Sequence, residues 1–204
     1  TKTGEVISYI RNSDFYFRPG LFQTLRAARL APHLTPPGCI FGDNGTQAFS
    51  RPEDLLALLC ILNSTAADSL HKLLLGRAGY ALYRNGTLSR LPIPSLGSRE
   101  SLRLTKIFRV SWLLRRSLDT VNELSHAFIL PILIRERAGS YDPTAIQRDL
   151  SQLQEELDKI VFDLYGFSDA DRAAVLASQG AAKEGETDTS TDDEGDDEDS
   201  AVPI

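Results

Sequence analysis

Apolar and polar positions follow two rhythms along this chain of 204 residues. From residue 15 to 94 the apolar runs are short and cut by Pro-Gly and Asn-Gly pairs; from residue 98 apolar residues recur at helical spacing. In the first stretch, Phe15-Tyr16-Phe17 predicts a compact aromatic strand closed by a type II turn at Pro19-Gly20. Residues 21–30 fit a strand or a short helix. The three prolines within 31–38 predict a rigid turn without regular structure. Cys39-Ile40-Phe41 then reads as a buried strand, followed by a polar turn at Gly42-Asp43-Asn44-Gly45 and a short run at Gln47-Ala48-Phe49. Ser50, with Glu53 and Asp54 behind it, predicts a helix start, and the helix runs to Leu62. It has no polar face, so it is expected to be buried. Asn63-Ser64 breaks it and caps a second helix over 65–75. Residues 80–83 and 87–91 flank Asn85-Gly86 as a β-hairpin would, and Leu91-Pro92-Ile93-Pro94 leaves it extended. Upstream, Val6-Ile7-Ser8-Tyr9-Ile10 is either a short strand or an entry segment.

The second stretch is helical. A basic amphipathic helix is expected over 101–118, carrying Arg103, Lys106, Arg109, Arg115 and Arg116. Another over 119–137 is kinked or ended by Pro131. A long one over 144–165 has a clean apolar stripe and stops at Gly166. Ser168 and Asp171 form a capping box for a last helix to Leu176. Residues 180–204, rich in acids and nearly free of apolar side chains, are expected to form a disordered acidic tail. The fold class expected is α+β: a small mixed α/β module at 1–96, a helical support or interaction region at 97–179, and the tail.

Charge changes what the front module is for. The net charge of −6 hides a segregation. Residues 1–118 hold 16 Lys and Arg against 7 Asp and Glu, and 13 of the 16 are Arg. Residues 119–182 hold 5 against 11, and 183–204 hold 1 against 10. Arg is the side chain whose planar fork suits phosphate and guanine edges, so the basic front is where an anionic partner is expected. Two cysteines in apolar surroundings, Cys39 and Cys60, fit buried free thiols better than a disulfide. Two Cys and three scattered His give no zinc-ligand spacing. No apolar segment is long enough to span a bilayer, and no secretory signal pattern opens the chain. A start at Thr1, with no Met anywhere, is expected of a fragment, a processed product or a later part of a longer polypeptide.

Reactive constellations are missing from the sequence. It has no Gly-x-Gly-x-x-Gly, no Gly-Lys-Ser/Thr phosphate loop, no Gly-x-Ser-x-Gly elbow and no His-Glu-x-x-His. Thr35-Pro36-Pro37-Gly38 has Thr and Gly where an adenine-holding Asn-Pro-Pro-aromatic motif has its amide and its stacking ring. Arg18, Arg26, Arg29, Arg77 and Arg84 lie beside predicted turns, where side chains reach a groove; Tyr16, Tyr80 and Tyr83 offer ring faces. Asn44, Gln47 and Asn85 have the amides that pair with adenine edges. The bland reading is that these arginines pair with nearby acids or face solvent, and that the Asn-Gly pairs are only turns.

Four segments carry a family resemblance: Tyr-Phe-Arg-Pro-Gly-Leu at 16–21, Pro-Gly-Cys-Ile-Phe at 37–41, Leu-Leu-Ala-Leu-Leu-Cys-Ile-Leu-Asn-Ser at 55–64 and Leu-Pro-Ile-Pro at 91–94. Their order resembles target-recognition domains in the C-terminal part of large adenine-specific DNA methyltransferases of bacterial restriction-modification and phage-defence systems. Residues 157–167 are similar to the closing helix of those proteins, and the resemblance covers about 15–172. It implies the DNA-reading half of such an enzyme, binding double-stranded DNA in the bacterial cytoplasm beside a methyltransferase catalytic domain or subunit. The donor S-adenosylmethionine and the catalytic motif would sit on that partner. Two other readings stand: a specificity subunit of a multisubunit restriction enzyme, and a helical interaction scaffold with no nucleic-acid role.

Overall fold

The all-apolar run at 55–62 has no polar side to give to water, and it ends up enclosed by other elements. A computed structural model describes residues 12–42, 44–76, 81–137, 139 and 141–185. The expectations for 1–11 and for the tail beyond 185 lie outside the described residues. Helix α1, Leu55–Leu62, buries Leu55, Ala57, Leu59, Cys60 and Ile61. Leu55 and Leu59 pack on Leu21, with Ala48 and Phe108 alongside. Ala57, Cys60 and Ile61 face the other way, into a cluster with Leu104, Ile107, Leu157, Ile160 and Val161. Each fully buried Leu or Ile contributes about 1.5–3 kcal/mol, more than a surface ion pair does. Both cysteines are free thiols, and Cys60 is buried while Cys39 is half-buried.

The sheet on one side of α1 is antiparallel, with strand order β3-β1-β4. Strand β1, Gly20–Thr24, is central. It pairs with β3, His33–Thr35, in the register Leu21↔Leu34, and with β4, Gly45–Ala48, in the register Leu21↔Ala48. Alternation sends Leu21 and Gln23 inward and Phe22 to the other face, against His33. Strand β3 corrects the expectation of an irregular 31–38: it sits between Pro32 and Pro36. A sheet edge tolerates prolines there because its outer donors have no ladder partner to lose.

Three further expectations for the front half fail for physical reasons. Residues 15–17 are not a strand. Ser13–Phe15 is a single 3-10 turn, and Phe17 adopts a positive φ of 64°. The Phe17 N–H donates to the Cys39 carbonyl at 2.9 Å, and the Gly38 N–H donates to the Phe17 carbonyl at 3.0 Å. That bracket also keeps 39–41 irregular, leaving Ile40 exposed rather than in a buried strand. Gly20 opens β1 instead of closing a turn with Pro19. A Cβ there would lie 2.7 Å from Gln47 Nε2 and 2.9 Å from the Ala48 carbonyl.

The expected hairpin around Asn85-Gly86 is also absent. Strand β5, Ala81–Leu82, pairs with β2, Arg26–Ala27, and Asn85–Leu88 is one helical turn, α3. Helical spacing brings Leu88 and Leu91 to the same cluster as Tyr83 and Leu30, which the alternation of a strand would not do. Ser50 does not cap α1 either. Asp54 holds the cap position, with its carboxylate drawn to Arg51 at 2.6 Å.

Helix α2, Thr65–Leu75, starts as expected, with Ser64 Oγ accepting the Ala67 N–H, and ends at Gly76 with φ 63°. Its N-terminus has a second, long-range cap. Asp158, on helix α6 (Pro143–Tyr165), accepts the Thr65 N–H at 2.7 Å and the Thr65 hydroxyl at 2.9 Å. Helix α4, Ser98–Asp119, lies against both α1 and α6, burying Leu104 and Ile107. The helix expected over 119–137 shrinks to α5, Ile132–Arg137. Side chains compete for the backbone before it: Asn122 Oδ1 accepts the Leu124 N–H and Ser125 Oγ accepts the Ala127 N–H. The Thr120 carbonyl then takes the Ile129 N–H at 2.8 Å, so the chain doubles back. Helix α6 is capped by Asp142 and closed by Gly166 at φ 70°. Ser168 and Asp171 exchange hydrogen bonds as a capping box for α7, Asp169–Gly185. That helix continues past Leu176, so residues 180–185 are helical and not part of a disordered tail.

The protein is therefore α+β, a small three-stranded antiparallel sheet followed by helices. Among the described residues no helix is long and apolar enough to cross a membrane. Replacing Asp158 with Ala should lower unfolding free energy by about 1–2 kcal/mol in urea titration, because it removes a helix cap and a link between α2 and α6. A change under about 0.3 kcal/mol would show the cap to be replaceable by solvent.

Candidate nucleic-acid interface

The candidate residues of the front module fall into separate places on the fold. At the Gly20 end of β1, five aromatic rings gather. Tyr16 meets the Phe41 ring edge-on at 5.1 Å, Phe41 lies 5.6 Å from Phe49, and Phe49 lies 4.9 Å from Phe15. Phe17, edge-on to Tyr16 at 6.4 Å, is 60% exposed. Arg18 is exposed and places its guanidinium 5.5 Å above the Phe15 ring. An exposed cation–π contact of this kind contributes about 0.5–1 kcal/mol, so a phosphate can draw the guanidinium away. The sequence reading singled out Tyr16 and Arg18 as candidates; it read Phe15, Phe17 and Phe41 as strand residues and Phe49 as part of a short run.

A second group surrounds Leu25, between β1 and β2. The Leu25 N–H donates to the Asn44 carbonyl at 3.1 Å, and the Leu25 carbonyl accepts the Tyr83 N–H at 2.7 Å. Arg26 follows directly, opposite Leu82, and Arg84 follows Tyr83. Asn44, Arg26 and Arg84 are all exposed at this corner. The Arg84 carbonyl starts α3, while its guanidinium has no carboxylate in ion-pair range among the described residues. Arg29 stands apart. It donates to the Asn63 carbonyl at the C-terminus of α1, at 3.1 Å, where a cation also suits the helix dipole. Gln47 is half-buried in β4, with Oε1 unpartnered. Arg77 and Tyr80, like Asp43, lie outside the described residues.

Tyr83, read from the sequence as a possible ring contact, is fully buried. Its ring stacks on His71 at 4.7 Å, and the pair forms the floor under the Leu25 corner. Asp68 completes that floor: it is 2% exposed, accepts the Leu30 N–H at 2.7 Å and pairs with Lys72 at 3.0 Å. Among the described residues neither ring nitrogen of His71 has a hydrogen-bond partner. Burial holds the His71 imidazole below its ordinary pKa, with Asp68 pulling the other way. Burial first, and the Asp68 charge second, push the Tyr83 phenol well up.

The densest basic surface is on α4. Arg99, Arg103, Lys106, Arg109, Arg115 and Arg116 are all exposed. Arg103 pairs with Glu156 at 3.1 Å, and the other five have no carboxylate in ion-pair range among the described residues. Positions 99, 103, 106 and 109 recur every three or four residues, which is the signal for one helix face. The sequence reading recognised the basic helix but left it out of the candidate interface.

No family model matches the chain. One similarity does. Over 186 aligned residues the chain is 26% identical to the adenine-specific methyltransferase PglX of Lacticaseibacillus casei (strain Zhang). The alignment takes in 82% of this chain but 15% of that protein, so the chain matches one stretch of a much longer polypeptide.

The His71 floor has a measurable signature. Its folded pKa is depressed, so its contribution is fully present above the unfolded value of about 6.5 and is lost as pH falls below it. Thermal melts should therefore show stability dropping between pH about 7 and about 5. Replacing His71 with Phe, which retains the stack on Tyr83, should flatten that slope. An unchanged slope would assign it to other groups.

Proposed function

We propose that this chain is the DNA-reading, non-catalytic part of an S-adenosylmethionine-dependent adenine-N6 DNA methyltransferase serving restriction-modification or phage defence. The observation that carries the reading is the similarity to a limited stretch of PglX, a protein whose name states adenine-specific methylation. In this reading residues 1–96 hold the recognition module and residues 97–179 support it. The catalytic domain or subunit, with its methyl donor, lies on another part of the assembly and takes the target adenine out of the stack, as chemistry on a base requires.

Tyr16 and Arg18 at one end of β1, and Arg26, Asn44 and Arg84 at the Leu25 corner, are the contacts assigned to duplex DNA, together with Arg29, Gln47, Arg77 and Tyr80. The arginines neutralise phosphate and set the register, while the amides of Asn44 and Gln47 are the groups able to read adenine edges. The aromatic group beside Arg18 offers ring faces to sugar or to an unstacked base.

Anisotropy titrations of labelled duplex across a salt series test this. The logarithm of affinity should fall linearly with the logarithm of salt, with a slope of about −0.9 for each phosphate neutralised. Changing both Arg18 and Arg84 to Ala should weaken binding and shallow the slope by about 2. A flat salt response, or an unchanged slope in the double variant, would overturn the reading or its placement respectively.

A further inference from the structure

The α4 ridge ends in an open groove of about 360 Å³, lined by Trp112, Arg115, Arg116, Asp119, Leu124 and His126. Arg116 stacks over the Trp112 ring at 5.4 Å, and Trp112 itself is about half exposed. Along the same helix Arg99, Lys106 and Arg109 have no carboxylate in ion-pair range among the described residues. Five unpaired cations on one helix repel each other, and a polyanion relieves that repulsion.

Such a polyanion is part of this chain. Residues 186–199 carry nine carboxylates, and 186–204 contain no Lys or Arg. The segment closes with Ala201-Val202-Pro203-Ile204, an apolar tip of a size to meet Trp112 and Leu124. We infer that residues 186–204 dock on the basic surface of α4 and its Trp112 groove. Fully extended chain covers about 3.3 Å per residue, so a segment of this length could cover up to about 60 Å, more than the about 26 Å of helix from Arg99 to Arg116. Tethering supplies an effective concentration of about the millimolar range, so individually weak surface ion pairs add up to standing occupancy. The interaction must also be salt-sensitive, because both partners are exposed.

The experiment uses the full chain and no DNA, so its failure leaves the DNA-reading proposal standing and its success does not depend on it. Trp112 is the chain's sole tryptophan, and its fluorescence reports the groove directly. Acrylamide quenching is compared in three full-length proteins: the parent, one with the acids of 186–199 changed to Asn or Gln, and one with Arg109→Gln, Arg115→Gln and Arg116→Gln. At about 20 mM salt both variants should quench about two-fold more steeply than the parent, and the difference should vanish near about 1 M, where the Debye length is about 3 Å. Equal quenching in parent and tail variant at low salt overturns the inference. So does protection that rises with chain concentration together with dimer in sedimentation, because a second copy would then be the occupant.

Discussion

Everything in this fold depends on enclosing α1. A helix with Leu, Ala, Cys and Ile all round cannot lie at a surface, so it needs two partners rather than one. The sheet takes Leu55 and Leu59; α4 and α6 take Ala57, Cys60 and Ile61. The consequence is that the strands and the late helices share a structural element although they lie far apart in sequence. Deleting α4 or α6 would expose one side of α1 to water and loosen the platform on which the Leu25 corner stands.

Two carboxylates, Asp68 buried and Asp158 half-buried, add direction to this apolar enclosure. Hydrophobic packing fixes proximity but tolerates sliding and rotation; a charge-assisted hydrogen bond to one particular N–H does not. Asp68 binds the Leu30 N–H and so sets where β2 leaves toward α1 and α2. Asp158 binds Thr65 twice and sets how α6 meets α2. Both carboxylates retain compensation for their desolvation, through Lys72 in one case and helix N-terminal donors in the other.

What the sequence made legible follows from the range of the forces involved. Helices α2 and α6 were readable because Ser64 and Gly166 act within a turn of where they stand, and α1 and α4 from their apolar pattern, although the cap read at Ser50 was not the one used. The strands were misread where long-range pairing decided the outcome. Asn85-Gly86 has hairpin chemistry, yet β5 pairs with β2, and Leu88 in α3 and Leu91 in the turn after it reach the Tyr83 cluster. Pro32 and Pro36 argued against a strand, and only the edge position of β3 removes the objection. For the interface, charge segregation pointed to the basic front. It could not show that Arg29 is engaged with Asn63, that Tyr83 is buried, or that five cations of α4 have no carboxylate in ion-pair range among the described residues.

The Phe17 conformation bears on which surface is kept for something other than folding. A non-glycine residue at φ 64° costs about 1–2 kcal/mol, and a ring that is 60% exposed returns little of that through burial. The two backbone hydrogen bonds to 38 and 39 contribute about 0.5–1.5 kcal/mol each, enough to hold the bend. Those bonds need only a backbone, and glycine would adopt the same φ without strain. The benzyl side chain is thus surplus to the stability of its own turn. Its ring stands beside Tyr16 and next to Arg18, whose guanidinium among the described residues rests on the Phe15 face. An exposed ring held at a cost, adjoining a cation held only weakly, is the arrangement expected of a surface that exchanges these contacts for those of a partner.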